Sequence, residues 1–156
     1  MSNHIVATVD LHTDGLTARA DGGRSITMAT DEAGGPSPID ALLASLAGCT
    51  AMDVASILRK KRQAAAEYEI EIDGDRANEH PRVFTAVRIE HRVRGAVEPE
   101  ALRRSIELSA TRYCPVSAML SAVARVEHRY HLVDDAGRDH AAVVAVLGPG
   151  ERRAQG

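Results

Sequence analysis

The stretch GGPSPIDALLASLAGCTAMDVASILRKKR, residues 34–62, constrains the fold more than any other part of the chain. Gly34-Gly35-Pro36 interrupts whatever precedes it, Ser37 is placed to cap a helix, Pro38 suits the first helical position, and Asp40 falls where a capping box takes an acid. At the other end Arg59, Lys60, Lys61 and Arg62 meet the negative pole of the helix dipole, as a solvated helix end. Between them Ile39, Leu42, Leu43, Leu46, Val54 and Ile57 share one face at about 100° per residue, which predicts a long helix with that stripe buried. Cys49 lies at the edge of the stripe, and Asp53, one turn later, projects from within it. A thiol and a carboxyl at i, i+4 in an apolar wall are the first sign of chemistry.

The rest of the chain reads as strands and shorter helices around this element. Residues 4–10, 15–20 and 24–30 alternate apolar and polar, broken by His12-Thr13-Asp14-Gly15 and Asp21-Gly22-Gly23, which predicts a three-stranded antiparallel meander. Residues 66–73 and 82–93 repeat the period of two, with Tyr68, Ile70 and Ile72 on one face and Val83, Thr85, Val87 and Ile89 on another. Glu98-Pro99 opens a second helix through about Ala110, and Cys114-Pro115 reads as the cap and first position of a short third one, 116–123. A strand at 125–133 follows, then a further candidate strand at 141–147 and a terminal segment, GPGERRAQG, expected to fray. The order argues for an α+β fold: one domain over residues 1–133, and a C-terminal extension, 134–156, with an extra strand and a flexible tail.

Composition narrows the function classes. A net charge of −3 gives no electrostatic footprint for nucleic acid. No apolar run suggests a membrane span and no secretory leader is evident, so a cytoplasmic protein is expected. Aromatic residues are only 3% and Trp is absent, so the core must be built from Ala, Leu, Val and Ile; completing it with a second copy of the chain makes a homodimer plausible. His128 and His131 fall on opposite faces of a strand, poor geometry for zinc, and no metal or cofactor is expected. The glycine pairs lack the Lys-Ser/Thr of a phosphate loop. Tyr113 is either packed or a hydrogen-bonding neighbour of Cys114.

Two cysteines in a reducing compartment are either inert core thiols or a redox pair. Cys114, at a helix cap, faces unpaired N–H groups that favour a thiolate; Cys49, in mid-helix, needs a cation from elsewhere, and Arg19 and Arg24 of the hairpin are candidate donors.

The segment PSPIDALLASLAGCTAMDVASILRK, followed by RYCPVSAML, strongly resembles the OsmC/Ohr family of osmotically inducible and organic hydroperoxide resistance proteins, and its OsmC-like branch in particular. The resemblance implies an intertwined homodimer, with Cys49 as the peroxidatic and Cys114 as the resolving cysteine. It further implies reduction of organic hydroperoxides, with an external dithiol restoring the pair. Active members carry an Arg on the N-terminal hairpin and a Glu before the first cysteine. Arg24 best matches the Arg; Ile39 occupies the Glu position, with Asp40 beside it and a helix-capping role as its alternative. Asp53 would assist the thiol only by orienting a cation, or would bond a backbone group of a partner subunit. The competing expectation is a non-catalytic member that binds a small apolar or electrophilic ligand.

Overall fold

The computed structural model describes residues 3–9, 15–29 and 35–149. The expected turn at His12 to Asp14 and the terminal segment from Gly150 onward lie outside the described residues. The chain divides into two compact units, Met1–Ala44 and Ser45–Gly156, treated in turn.

In the first unit, β1 (Ile5–Val9), β2 (Leu16–Ala20) and β3 (Ser25–Met28) form the expected antiparallel meander. Gly22 and Gly23 close the second turn at φ of 84° and 78°, a conformation that glycine adopts without the Cβ clash other residues meet. The long helix α1 (Pro38–Lys60) begins in this unit, and its capping box is complete. The Asp40 amide donates to the Ser37 hydroxyl at 3.2 Å, and the Asp40 carboxylate accepts from the Ser37 amide at 3.2 Å and from its hydroxyl at 2.6 Å.

The second unit holds the rest of α1, then β4 (Ala64–Arg76), β5 (Phe84–Ala96), α2 (Pro99–Leu108), a π-helical turn (Ser109–Tyr113), α3 (Pro115–Leu120), β6 (Arg125–Val133) and β7 (Asp139–Leu147). The four strands form one sheet in sequence order, with β4/β5 and β6/β7 antiparallel and β5/β6 parallel. The α2–α3 segment is the crossover that a parallel pair requires. The strand expected at 141–147 is therefore the edge of the main sheet. One face of the sheet packs Val93, Val97, Tyr130 and Leu132 against Val54 and Leu58 of α1 and Leu102 and Ile106 of α2. The other face is charged, with Arg88 bridging Asp73 and Asp75 and Arg92 bridging Glu71 and Glu90.

Several local expectations change. Val83 and Thr85 do not share the inward face of Val87 and Ile89. The ladder slips where Asp75 pairs with Ala86 and Arg76 with Phe84, so Phe84 turns inward and Val83 is 51% exposed. The buried stripe of α1 is Leu46, Thr50, Val54 and Leu58, an i, i+4 row; Leu42 of the expected stripe is 36% exposed. With 23 residues, α1 is long and apolar enough by length and composition to cross a membrane, contrary to the reading of the sequence. The basic end of α1 is not simply solvated. Lys61 donates to the Ala101 carbonyl at 3.1 Å and the Ser105 hydroxyl at 3.3 Å, tying α1 to α2. Arg62 takes the left-handed conformation at φ 56°, and the Gln63 amide reaches back to the Leu58 carbonyl at 3.0 Å, a Schellman ending made without glycine.

Candidate functional site

The second unit brings the two cysteines together, Cys49 from α1 and Cys114 from the α2–α3 crossover. Cys49 Sγ, Cys114 Sγ and an Asp53 carboxylate oxygen all lie within 4.8 Å of one another. Helix periodicity stacks Cys49 and Asp53 on one face of α1. Cys114 is delivered by the π-helical turn, in which its amide donates to the Ser109 carbonyl at 2.9 Å, five residues back. Backbone φ −74° and ψ 108° then place Cys114 as the cap of α3, where its sulfur accepts from the Ser117 amide at 3.3 Å. That cap is the one expected from the Cys-Pro pair.

Further donors converge on the sulfurs. The Thr50 hydroxyl, buried beside them, lies 3.6 Å from Cys114 Sγ. Cys49 is hydrogen-bonded to Cys114 and receives the backbone N–H of Val116. Cys114 is buried at 3% exposure, whereas Cys49 is partly open to solvent. Burial, the Cys114 contact and the Asp53 charge together push the Cys49 thiol up to about 11, with only the Val116 amide acting the other way. Within the Ser45–Gly156 unit, then, every charge acting on Cys49 holds its proton on. Asp53 accepts a hydrogen bond from the Ser109 hydroxyl of the same chain at 3.0 Å.

The other candidates have surroundings of their own. Arg24 and Arg19 are exposed on the hairpin of the first unit, and Asp40 is engaged in the capping box. Tyr113 is 51% exposed beneath the Arg112 guanidinium, neither packed nor bonded to Cys114 by any described contact. His131 is on the charged face with Asp139, and His128 is buried on the other, the opposition that the spacing predicted.

One polar cluster was missed. The Tyr68 hydroxyl meets His91 Nδ1 at 2.7 Å, and His91 Nε2 meets His128 Nδ1 at 3.5 Å, all on the inner face of the sheet. Both rings are fully buried and His128 Nε2 has no partner among the described residues. Burial keeps them neutral, with His91 lowered to about 3, helped by His128, and His128 to about 4. The signal was present: both occupy positions that the alternation of β5 and β6 assigns to the apolar face. Thr50 and Ser109 left no such trace, because their partners are 64 and 56 residues away.

Comparison with known proteins supplies the context. A family model described as OsmC-like protein matches residues 30–129. Protein YhfA of Escherichia coli K12 is 37% identical over 99 residues, covering 63% of this chain and 74% of YhfA. A crystal structure of a hypothetical protein from Aquifex aeolicus VF5 superposes with a TM-score of 0.78 at 26% identity, over 86% of this chain and 98% of that one. The organic hydroperoxide resistance protein OhrB of Bacillus subtilis shares the fold at a TM-score of 0.59 and 14% identity, over 83% of this chain and 98% of its own.

Proposed function

The chain belongs to the OsmC-like protein family, and on that premise we propose that it reduces organic hydroperoxides through Cys49 and Cys114, as part of defence against oxidative stress in the cytoplasm. The observation that carries this reading is the approach of two sulfurs, 65 positions apart in sequence, to within 4.8 Å. Partial exposure makes Cys49 the sulfur that a substrate reaches. Its thiolate attacks the O–O bond, an alcohol leaves, and Cys49 becomes a sulfenic acid. The Cys114 sulfur, held by Thr50 and the Ser117 amide, then attacks the sulfenic sulfur, expelling water and forming the disulfide. An external dithiol restores both thiols.

The first step needs Cys49 deprotonated, and the surroundings of Ser45–Gly156 oppose this. We assign the missing positive charge to the hairpin, with Arg24 as first candidate, in the role the family gives an arginine there. A homodimer is part of the same proposal. Met52 is 76% exposed on α1, Met119 and Val123 are 64% and 65% exposed around α3, and only a minority of the apolar window of α1 is buried within the chain. Soluble chains rarely leave such a surface uncovered, and a second copy of α1 supplies the matching one.

A second reading, a non-catalytic member that holds a small apolar ligand, draws on the protonated state of Cys49 and on a cavity of about 560 Å³ lined by Met52, Ala55, Leu58, Arg59, Gln63 and Tyr68. Turnover separates the two. Cys49→Ser should abolish dithiol-dependent consumption of cumene hydroperoxide, and Cys114→Ser should stop at a sulfenic acid that dimedone traps. Wild-type consumption no faster than that of Cys49→Ser would decide for the ligand binder.

A further inference from the structure

We propose that Cys49, Cys114 and Asp53 form a binding site for a soft divalent cation, zinc, with the fourth coordination position open to solvent. The histidine spacing predicts no metal site, but the folded chain assembles a different donor set. Three ligating atoms of the right type lie within 4.8 Å of one another. A tetrahedral zinc ion with Zn–S of about 2.3 Å and Zn–O of about 2.0 Å needs S···S edges of about 3.8 Å and S···O edges of about 3.5 Å. A contraction of at most about 1 Å on the S···S edge and about 1.3 Å on the S···O edges separates the two arrangements, within reach of side-chain rotation.

The surroundings fit a metal site as well as the donors do. Each ligand has its own support: Ser109 donates to Asp53, Thr50 and the Ser117 amide to Cys114, and the Val116 amide to Cys49. Metal ligands are characteristically oriented by such outer hydrogen bonds. Two thiolates select zinc over magnesium or calcium, which prefer oxygen. The site also accounts for Asp53. Beside a nucleophilic thiol a carboxylate is a handicap, since it opposes the thiolate; beside a cation it is a ligand and a counter-charge. Three protein ligands, two of them partly exposed, leave a position for water or substrate.

Zinc takes its cysteine ligands as thiolates, so binding releases protons and affinity rises with pH. Its regulatory consequence rests on the peroxidase reading above: bound zinc masks both sulfurs. Oxidation by an organic hydroperoxide, Zn(SR)₂ + ROOH + 2 H⁺ → RSSR + ROH + H₂O + Zn²⁺, releases the ion as the disulfide forms.

The test uses the reduced, chelator-treated full chain titrated with Co²⁺ as the spectroscopic stand-in, then with Zn²⁺ against a chromophoric chelator. One ion per chain is expected, with an intense near-ultraviolet thiolate-to-cobalt band that Cys49→Ser and Cys114→Ser each abolish. Asp53→Asn, which preserves shape, should weaken zinc at least tenfold, and Zn²⁺ should slow alkylation of both cysteines in the wild type without any substitution. Absence of the thiolate band, stoichiometric binding retained in Cys49→Ser, or unchanged affinity in Asp53→Asn each overturns the site. Hydroperoxide turnover of the metal-free protein is measured separately, so failure of the peroxidase reading leaves the binding result standing, and the reverse.

Discussion

The buried pair His91 and His128 makes a sharp prediction about acid. Both rings are held neutral by burial, His91 at about 3 and His128 at about 4, against an ordinary value of 6.5. Their folded-state pKa values are depressed below the unfolded ones, so the unfolded chain binds protons that the folded chain refuses, and stability falls as pH drops below 6.5. Between pH 7 and pH 5 the unfolded rings charge and the folded ones do not. At about 1.36 kcal/mol per unit over ~1.5 units, each ring costs about 2 kcal/mol, roughly 4 kcal/mol together. This window lies above the range in which unfolded carboxylates titrate, so their contribution is small. Urea unfolding at the two pH values measures the loss, and His128→Leu should remove about half of it. In NMR titrations, two of the seven imidazoles should show no titration between pH 8 and pH 5. Equal wild-type stability at pH 7 and pH 5, or seven rings titrating near 6.5, would refute the reasoning.

Three other outcomes are expected. In Arg24→Gln, which removes the proposed cation, Cys49 is left raised above its ordinary 9.0 to about 11 and keeps a proton that the unfolded thiol loses, so stability should decline from pH 9 through 11, and by less when Cys49→Ser is added; parallel urea curves for the two proteins would count against it. Asp53→Asn removes one of the charges opposing the Cys49 thiolate, so the midpoint of its alkylation rate should move to lower pH in metal-free protein, and an unmoved midpoint would show that Asp53 is electrostatically silent. Gly95→Ala should cost about 1–3 kcal/mol or more in thermal or urea unfolding, because at φ 124° a Cβ would sit 2.6 Å from the Ala66 nitrogen and 2.7 Å from the Ala64 oxygen; a neutral substitution would contradict the observed bulge.

The strands and the long helix were legible because their information is local. Alternation in β5 and β6, the Ser37–Asp40 box and the Cys114-Pro115 start all act within a few residues. What escaped depends on partners that sequence distance hides. The slip at Thr85 is set by the opposing strand β4, and Leu42 is open because the stripe that meets the core is the row through Thr50 and Val54. In the candidate site, the two cysteines and Asp53 were legible by residue type. Thr50 and Ser109 were not, since a hydroxyl acquires meaning only from what the fold sets beside it.

The wide turn at Ser109–Tyr113 has a consequence for how this chain tolerates changes in length. A π-helical turn accommodates one residue more than the α-helical turn it replaces, and one residue corresponds to about 100° of rotation about the axis. Deleting a single position between Ser109 and Tyr113, Thr111 for instance, would restore regular helix and swing the following sulfur about a quarter-turn away from α1. The surplus residue thus acts as a phase shifter, and a deletion that spares both cysteines should disconnect them as thoroughly as replacing either one.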